Sequence, residues 1–130
     1  MRIYTYGVYD LFHYGHLRAL KKAKELGDEL VIGVFTDKAT EKFKRKPIMN
    51  EEERRNLIKE LDLGEVIYQD AFLPNEGVLD VLGINIVAKA EGAGWSKDEM
   101  PRFSECKSVL LDYTEGVSTS DIIKRIYDNK

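Results

Sequence analysis

A strand, a glycine-bounded turn, a helical repeat and a second apolar run open this chain in quick succession, and few folds can accept that order. Residues 3–6, Ile-Tyr-Thr-Tyr, are β-branched and aromatic, as a strand favours. Leu17, Leu20, Ala23 and Leu26 recur on a helical period, and Gly27 follows where a helix end favours glycine. Residues 29–35, Glu-Leu-Val-Ile-Gly-Val-Phe, are almost continuously apolar, which fits a central parallel strand covered on both faces. Parallel neighbours need a crossover helix, and such crossovers are right-handed.

The alternation continues. Residues 38–47 form a polar connection rich in lysine. Asn50, with Glu53 three residues on, is an N-cap signal for a helix whose buried stripe is Leu57, Ile58 and Leu61 and which Gly64 closes. Residues 65–68 read as a third strand. Asn75 caps a helix that carries Val78, Leu79 and Leu82 and ends at Gly83, and residues 84–88 are a fourth strand. Residues 89–106 show little pattern beyond an expected short helix at 101–106. Residues 108–111 are a fifth strand, and the hydroxyls at 118–120 open a last helix bearing Ile122, Ile123 and Ile126. With no repeat and no linker, this order predicts one α/β domain over residues 1–130. Its expected form is a doubly wound, Rossmann-like five-stranded parallel sheet with helices on both faces.

Composition excludes several classes. A net charge of −3 and the lack of a long basic run give no nucleic-acid footprint. No apolar stretch approaches the roughly 20 residues needed to span a bilayer. No secretory leader is legible before the first strand. The lone Cys106 has no partner for an internal disulfide, which suits a reducing cytoplasm, and a role as a small, partly buried residue is expected of it.

The candidate chemistry lies in the first turn, Gly7-Val8-Tyr9-Asp10-Leu11-Phe12-His13-Tyr14-Gly15-His16, which holds both histidines of the chain. In an open α/β sheet this turn faces the ligand crevice, where free N–H groups and a helix N-terminus favour an anion. Gly15 would let backbone approach a phosphate. Two imidazoles there can donate to phosphoryl oxygens, which suits a reaction driven by positioning and charge stabilisation. The competing readings are a pair of capping or core histidines, or a metal site. A zinc set is hard to complete with no third histidine and a cysteine remote in sequence. Asp10 is expected to cap the turn.

His13-Tyr14-Gly15-His16 resembles the His-x-Gly-His signature of a nucleotidyltransferase superfamily. With Tyr9-Asp10-Leu11-Phe12 before it, the turn is most similar to that of the cytidylyltransferases that make CDP-glycerol, CDP-choline and CDP-ethanolamine. Phe43-Lys44 and the following Pro47-Ile48-Met49-Asn50-Glu51-Glu52-Glu53-Arg54 resemble that family's lysine loop and its Asn-Glu-x-Glu-Arg segment. Residues 114–123 resemble its Thr-Glu-Gly-Ile-Ser-Thr tail. The resemblance implies transfer of CMP from CTP to a small phosphomonoester, with magnesium accompanying the triphosphate and pyrophosphate leaving. It implies catalytic roles for His13, His16 and Lys44. Nucleotide contacts are implied at Gly7, Val8, Tyr9, Gly15, Lys46, Arg54, Glu91, Thr114, Ser118 and Thr119. Arg54 has a local alternative, an ion pair with Glu51 on the same helix face. Ser118 has another, a plain N-cap. A homodimer is expected from the resemblance alone. The alternatives are the same chemistry with ATP, or a nucleotide-binding protein without turnover.

Two departures stand out. Tyr113 occupies the place of a family arginine, and tyrosine cannot replace its charge. Ala93-Gly94 stand near the place of an aspartate pair after the fourth strand, for which Glu91 is a partial substitute; looser discrimination between CTP and ATP is the expected result.

Overall fold

The computed structural model describes residues 1–90, 95–112 and 118–129. The elements run β1 (Arg2–Gly7), α1 (Tyr14–Lys24), β2 (Glu29–Phe35), α2 (Asp37–Phe43), α3 (Glu51–Glu60), β3 (Glu65–Gln69), α4 (Glu76–Val81), β4 (Ile86–Ala90), β5 (Lys107–Leu111) and α5 (Thr119–Asp128). All five strands are parallel, in the order β3-β2-β1-β4-β5. The chain therefore winds outward from β1 in one direction and then returns to β1 to build the other half. The switch point lies between β1 and β4, and the turn after β1 opens onto it.

Each face of the sheet carries its own apolar layer. Ile3, Leu30, Ile32, Val34, Ile86 and Ala88 pack against Leu20 and Ala23 of α1 and Ile58 of α3. On the opposite face Tyr4, Tyr6, Val31, Phe35 and Val87 pack against Ala39 of α2, Leu79 of α4 and Trp95. Gly33 is required by one close approach: a Cβ there would lie 2.0 Å from the Tyr4 hydroxyl. That hydroxyl donates across β2 to Gln69 Oε1 at 2.6 Å, tying β1 to β3.

The expected alternation is present, with local differences. Residues 37–43 form α2, where a polar connection is expected over 38–47. Thr36 caps it by accepting from Ala39 N, and Phe43 packs edge-on against Phe35 and Phe72. The helix expected at 101–106 does not form. Met100, Phe103 and Cys106 pack on the second apolar layer as irregular chain, held by Ser108 Oγ donating to Pro101 O at 2.6 Å. The fourth strand begins two residues later than expected. Ile84 is engaged in closing α4, its N–H bonding Leu79 O after Gly83 at φ +68°. The strand accordingly extends through Lys89 and Ala90. Asp62, at φ 53°, rather than Gly64, turns the chain out of α3. Val78 is 44 % exposed and Ile126 53 % exposed, so neither is buried as its helical period suggested.

Candidate active site

The turn after β1 is tightly built. Tyr9 and Leu11 both hold positive φ, 57° and 47°, a left-handed conformation that non-glycine residues seldom adopt outside constrained sites. The Tyr9 ring folds back over Gly7, where a Cβ would meet it at 3.1 Å, and Tyr9 is buried. Gly7 and Tyr9 thus shape the turn from within. His13 is the N-cap of α1, so His16 stands on the first helical turn and not in the loop before it. The two form a reciprocal capping box. His13 Nδ1 accepts from Gly15 N at 3.0 Å, and His16 Nδ1 accepts from His13 N at 3.1 Å. Gly15 therefore has its N–H engaged by His13.

This capping fixes the tautomer of both rings. A nitrogen that accepts from a backbone N–H carries no proton, so each neutral imidazole presents Nε2–H as a donor. The rings stack 3.8 Å apart at 20°. Burial lowers the pKa of His13. Burial, then His13 and Lys44, push His16 down to about 3. Both are neutral donors at neutral pH, able to stabilise charge on an anion without moving a proton.

Asp10 joins three segments. Only 2 % exposed, its carboxylate accepts from Arg45 Nη1 at 2.9 Å, Ile48 N at 2.8 Å and Met49 N at 2.9 Å. Its carbonyl accepts from Thr119 Oγ1 at 2.8 Å. The histidine turn, the lysine loop and the start of α5 are locked together here. Burial alone would raise the Asp10 pKa; the Ile48 and Met49 N–H groups and Arg45 outweigh it and hold the carboxyl below its ordinary range. The cap expected of Asp10 is thus a long-range clamp.

Arg54 is fully buried. Its Nε donates to Met49 O at 2.9 Å, and Nη1 to Val8 O at 2.8 Å and Phe35 O at 2.7 Å. Nη2 pairs with Asp37 Oδ1 at 2.7 Å. The local alternative with Glu51 does not occur, because Glu51 Oε1 accepts from Asp37 N at 2.9 Å. Arg54 fastens the loops after β1 and β2 to the start of α3, and Val8 enters the site through its carbonyl. The guanidinium faces protein on these sides, so it holds the loops that border the crevice.

Lys44 ends α2 at the rim of the crevice. Desolvation and Arg45 push its pKa down, and its own charge depresses both His16 and Lys89. Lys46 is exposed on the same loop. Ser118 caps α5 by accepting from Asp121 N at 3.1 Å, and the Thr119 hydroxyl is buried on Asp10. Those two hydroxyls are engaged in building the fold. Glu91 and Thr114, like Tyr113, Ala93 and Gly94, lie outside the described residues.

One residue of the site escaped the sequence reading. Lys89, on β4, is 8 % exposed, and its Nζ donates to Tyr6 O at 2.7 Å. Burial, then Lys44, push its pKa down to about 7. The available signal was a single lysine extending an apolar strand, Ile86-Val87-Ala88-Lys89-Ala90. An expected strand that stopped at residue 88 put it outside the sheet.

Paired neutral donors at a helix N-terminus, lysines beside them, and a parallel sheet reversing its strand order there define a protein of nucleotide and phosphoryl chemistry. Comparison with known proteins narrows this class. Residues 4–125 match the model of the cytidylyltransferase-like family. The chain is 34% identical over 125 residues to glycerol-3-phosphate cytidylyltransferase of Bacillus spizizenii, covering 95% of each chain. It is 30% identical over 130 residues to the enzyme of the same name from Staphylococcus aureus, covering 97% of this chain and 95% of that one. It is 34% identical over 131 residues to ethanolamine-phosphate cytidylyltransferase of Dictyostelium discoideum, where 97% of this chain spans only 36% of the relative. Among solved structures, a lipopolysaccharide core biosynthesis protein from Thermoplasma volcanium superposes with a TM-score of 0.76 at 25% identity, over 88% of this chain and 98% of that one. The chain belongs to the cytidylyltransferase-like family.

Proposed function

We propose that this protein transfers CMP from CTP to a small phosphorylated alcohol and releases pyrophosphate. The observation that carries the reading is the capping box, which holds both imidazoles neutral with their Nε2–H groups free at the switch point. An oxygen of the acceptor phosphate attacks the α-phosphorus of CTP. A new P–O bond forms, the bond from the α-phosphorus to the bridging oxygen breaks, and pyrophosphate departs with that electron pair. His13 and His16 donate to the α-phosphate oxygens as charge grows on them, and Lys44, with Lys46, supplies positive charge to the phosphates. Gly7, Val8, Tyr9, Gly15 and Arg54 set the shape of the crevice. Ser118 and Thr119 act by holding the start of α5, the latter against Asp10, and the resemblance assigns nucleotide contacts to Glu91 and Thr114.

Among the described residues no three His, Cys, Asp or Glu side chains are grouped to hold a metal ion. The lone pairs of Asp10 and of both Nδ1 atoms are engaged by protein donors. The magnesium proposed here would come with the triphosphate, held largely by its oxygens and water. The proposed setting is the cytoplasm and the proposed assembly a homodimer. No helix among the described residues is long and apolar enough to cross a membrane.

The test is pyrophosphate release from CTP, ATP and GTP against a panel of phosphomonoesters. CTP with at least one phosphorylated alcohol is expected to react. Exclusive use of ATP would replace the cytidylyl assignment with an adenylyl one, and no release with any pair would refute transferase activity.

A further inference from the structure

The relatives leave the acceptor undivided, since some are named for glycerol phosphate, a polyol ester, and others for ethanolamine phosphate, which carries an ammonium group. Lys89 separates these two classes. It sits on the interior strand β4, where β4 pairs with β1 through Ile3↔Ile86 and Tyr4↔Val87. Two residues further along that register Lys89 comes level with Tyr6, at the carboxyl ends of both strands, where the crevice opens. Its ammonium lies 4.0 Å from the Tyr6 ring centroid and 5.9 Å from that of Phe35. Trp95 closes the same cluster, its Nε1 donating to the Tyr6 hydroxyl at 3.0 Å.

Aromatic faces gathered in this way attract a cation. Here the chain places its own cation on them. No described carboxylate pairs with Lys89, and its one acceptor among the described residues is the Tyr6 carbonyl. Among the described residues, two of its three N–H bonds are left for a ligand. The described groups that face it give no compensating negative charge. Tyr6, on β1, is held neutral by burial, which pushes it up to about 12; His16, on α1, is neutral; Lys44, after α2, is of the same sign. An uncompensated ammonium in a protein interior is costly, and Met at this strand position would fill the space without that cost.

We propose that Lys89 selects the acceptor: its buried ammonium fills the cation position over Tyr6 and Phe35, so the site takes phosphate esters of polyols and rejects those carrying an ammonium group. The inference rests on the cytidylyltransferase reading above. Hydroxyls or a further negative charge on the acceptor can accept from the two remaining N–H bonds. A second ammonium brought beside it would be disfavoured, because like charges repel strongly where water is largely excluded.

The experiment compares kcat/KM for glycerol phosphate, phosphoethanolamine and phosphocholine with CTP and magnesium at pH 6, where Lys89 is charged, in the wild-type chain and in Lys89→Met and Lys89→Gln. Wild type is expected to favour glycerol phosphate by about 10-fold or more, and both variants to narrow that ratio by about 10-fold with KM for CTP little changed. A structural role alone would lower turnover of every acceptor together and leave the ratio fixed. Equal or better use of the ammonium esters by wild type overturns the inference without any variant, and so does an unchanged ratio in a folded variant. Pyrophosphate release from none of the acceptors would overturn the transferase reading itself, and this inference with it.

Discussion

Asp10→Asn changes one oxygen to an amide nitrogen and tests how the site is held together. The two carboxylate oxygens divide their work: Oδ2 accepts from Arg45 and Ile48, and Oδ1 accepts from Met49. An asparagine keeps the shape but has only one acceptor oxygen. In its better orientation the oxygen keeps the Arg45 and Ile48 bonds, and the NH₂ then faces the Met49 N–H, donor against donor. A buried donor left unpaired costs about 1–3 kcal/mol, and losing the charge opposite Arg45 adds about 1 kcal/mol at that partly exposed pair. The sum, about 2–4 kcal/mol, lowers Tm on the order of 10 °C in a domain of this size. The lysine loop should loosen as well, raising KM for CTP. The acid limb supplies a second check. The Asp10 pKa in the fold lies below its ordinary 3.8, so the carboxylate's contribution is present in full above about pH 5 and is lost as pH falls through the folded value. Thermal melts of both proteins across pH should show a constant gap at neutral pH that narrows below about pH 4. A variant within about 2 °C of wild type at pH 7, or a gap undiminished in acid, would refute the clamp.

Four further outcomes follow from the same geometry. His13→Ala and His16→Ala should each lower kcat on the order of 10²–10³ fold while costing only about 1 kcal/mol from the lost cap, as kinetics paired with thermal melts would show. With the His16 pKa down at about 3, wild-type kcat should show no titration of His16 between pH 5 and 8. Lys44→Ala should mainly raise KM for CTP, about 10-fold, and reduce its salt dependence, because a flexible lysine acts on ground and transition states alike; an unchanged KM would make it a mere surface residue. Lys89→Met should be stabilising, and most so in acid. Its folded pKa of about 7 lies below the unfolded 10.5, so the burial penalty is complete below pH 7 and fades as pH rises towards 10.5. The gain is at most about 5 kcal/mol at pH 6 and about 2 kcal/mol at pH 9, measurable by urea denaturation; equal gains at both would refute an ionised buried lysine.

What the sequence determined alone was everything encoded by near neighbours. Asn50 with Glu53 makes the reciprocal cap expected of that spacing, Asn75 accepts from Val78 N, and Ser118 accepts from Asp121 N. The strand–helix alternation predicts the winding because parallel neighbours require crossovers, and the turn after β1 falls at the switch point as a consequence. The place of the histidines on that turn was legible for the same reason, and the capping role weighed for them is present as a reciprocal box. Helix α2 escaped because seven residues with only Ala39 and Thr40 buried carry too little apolar period to stand out. Tertiary structure alone decided the roles of Asp10, Arg54 and Lys89. Asp10 takes its donors from Arg45, Ile48 and Met49, Arg54 reaches back to Val8 and Phe35, and Lys89 bonds the carbonyl of Tyr6 on a neighbouring strand. No local pattern announces such partners, since a charged side chain in sequence carries no mark of whether folding will remove it from water. Burial makes those three charges consequential, and burial belongs to the assembled sheet.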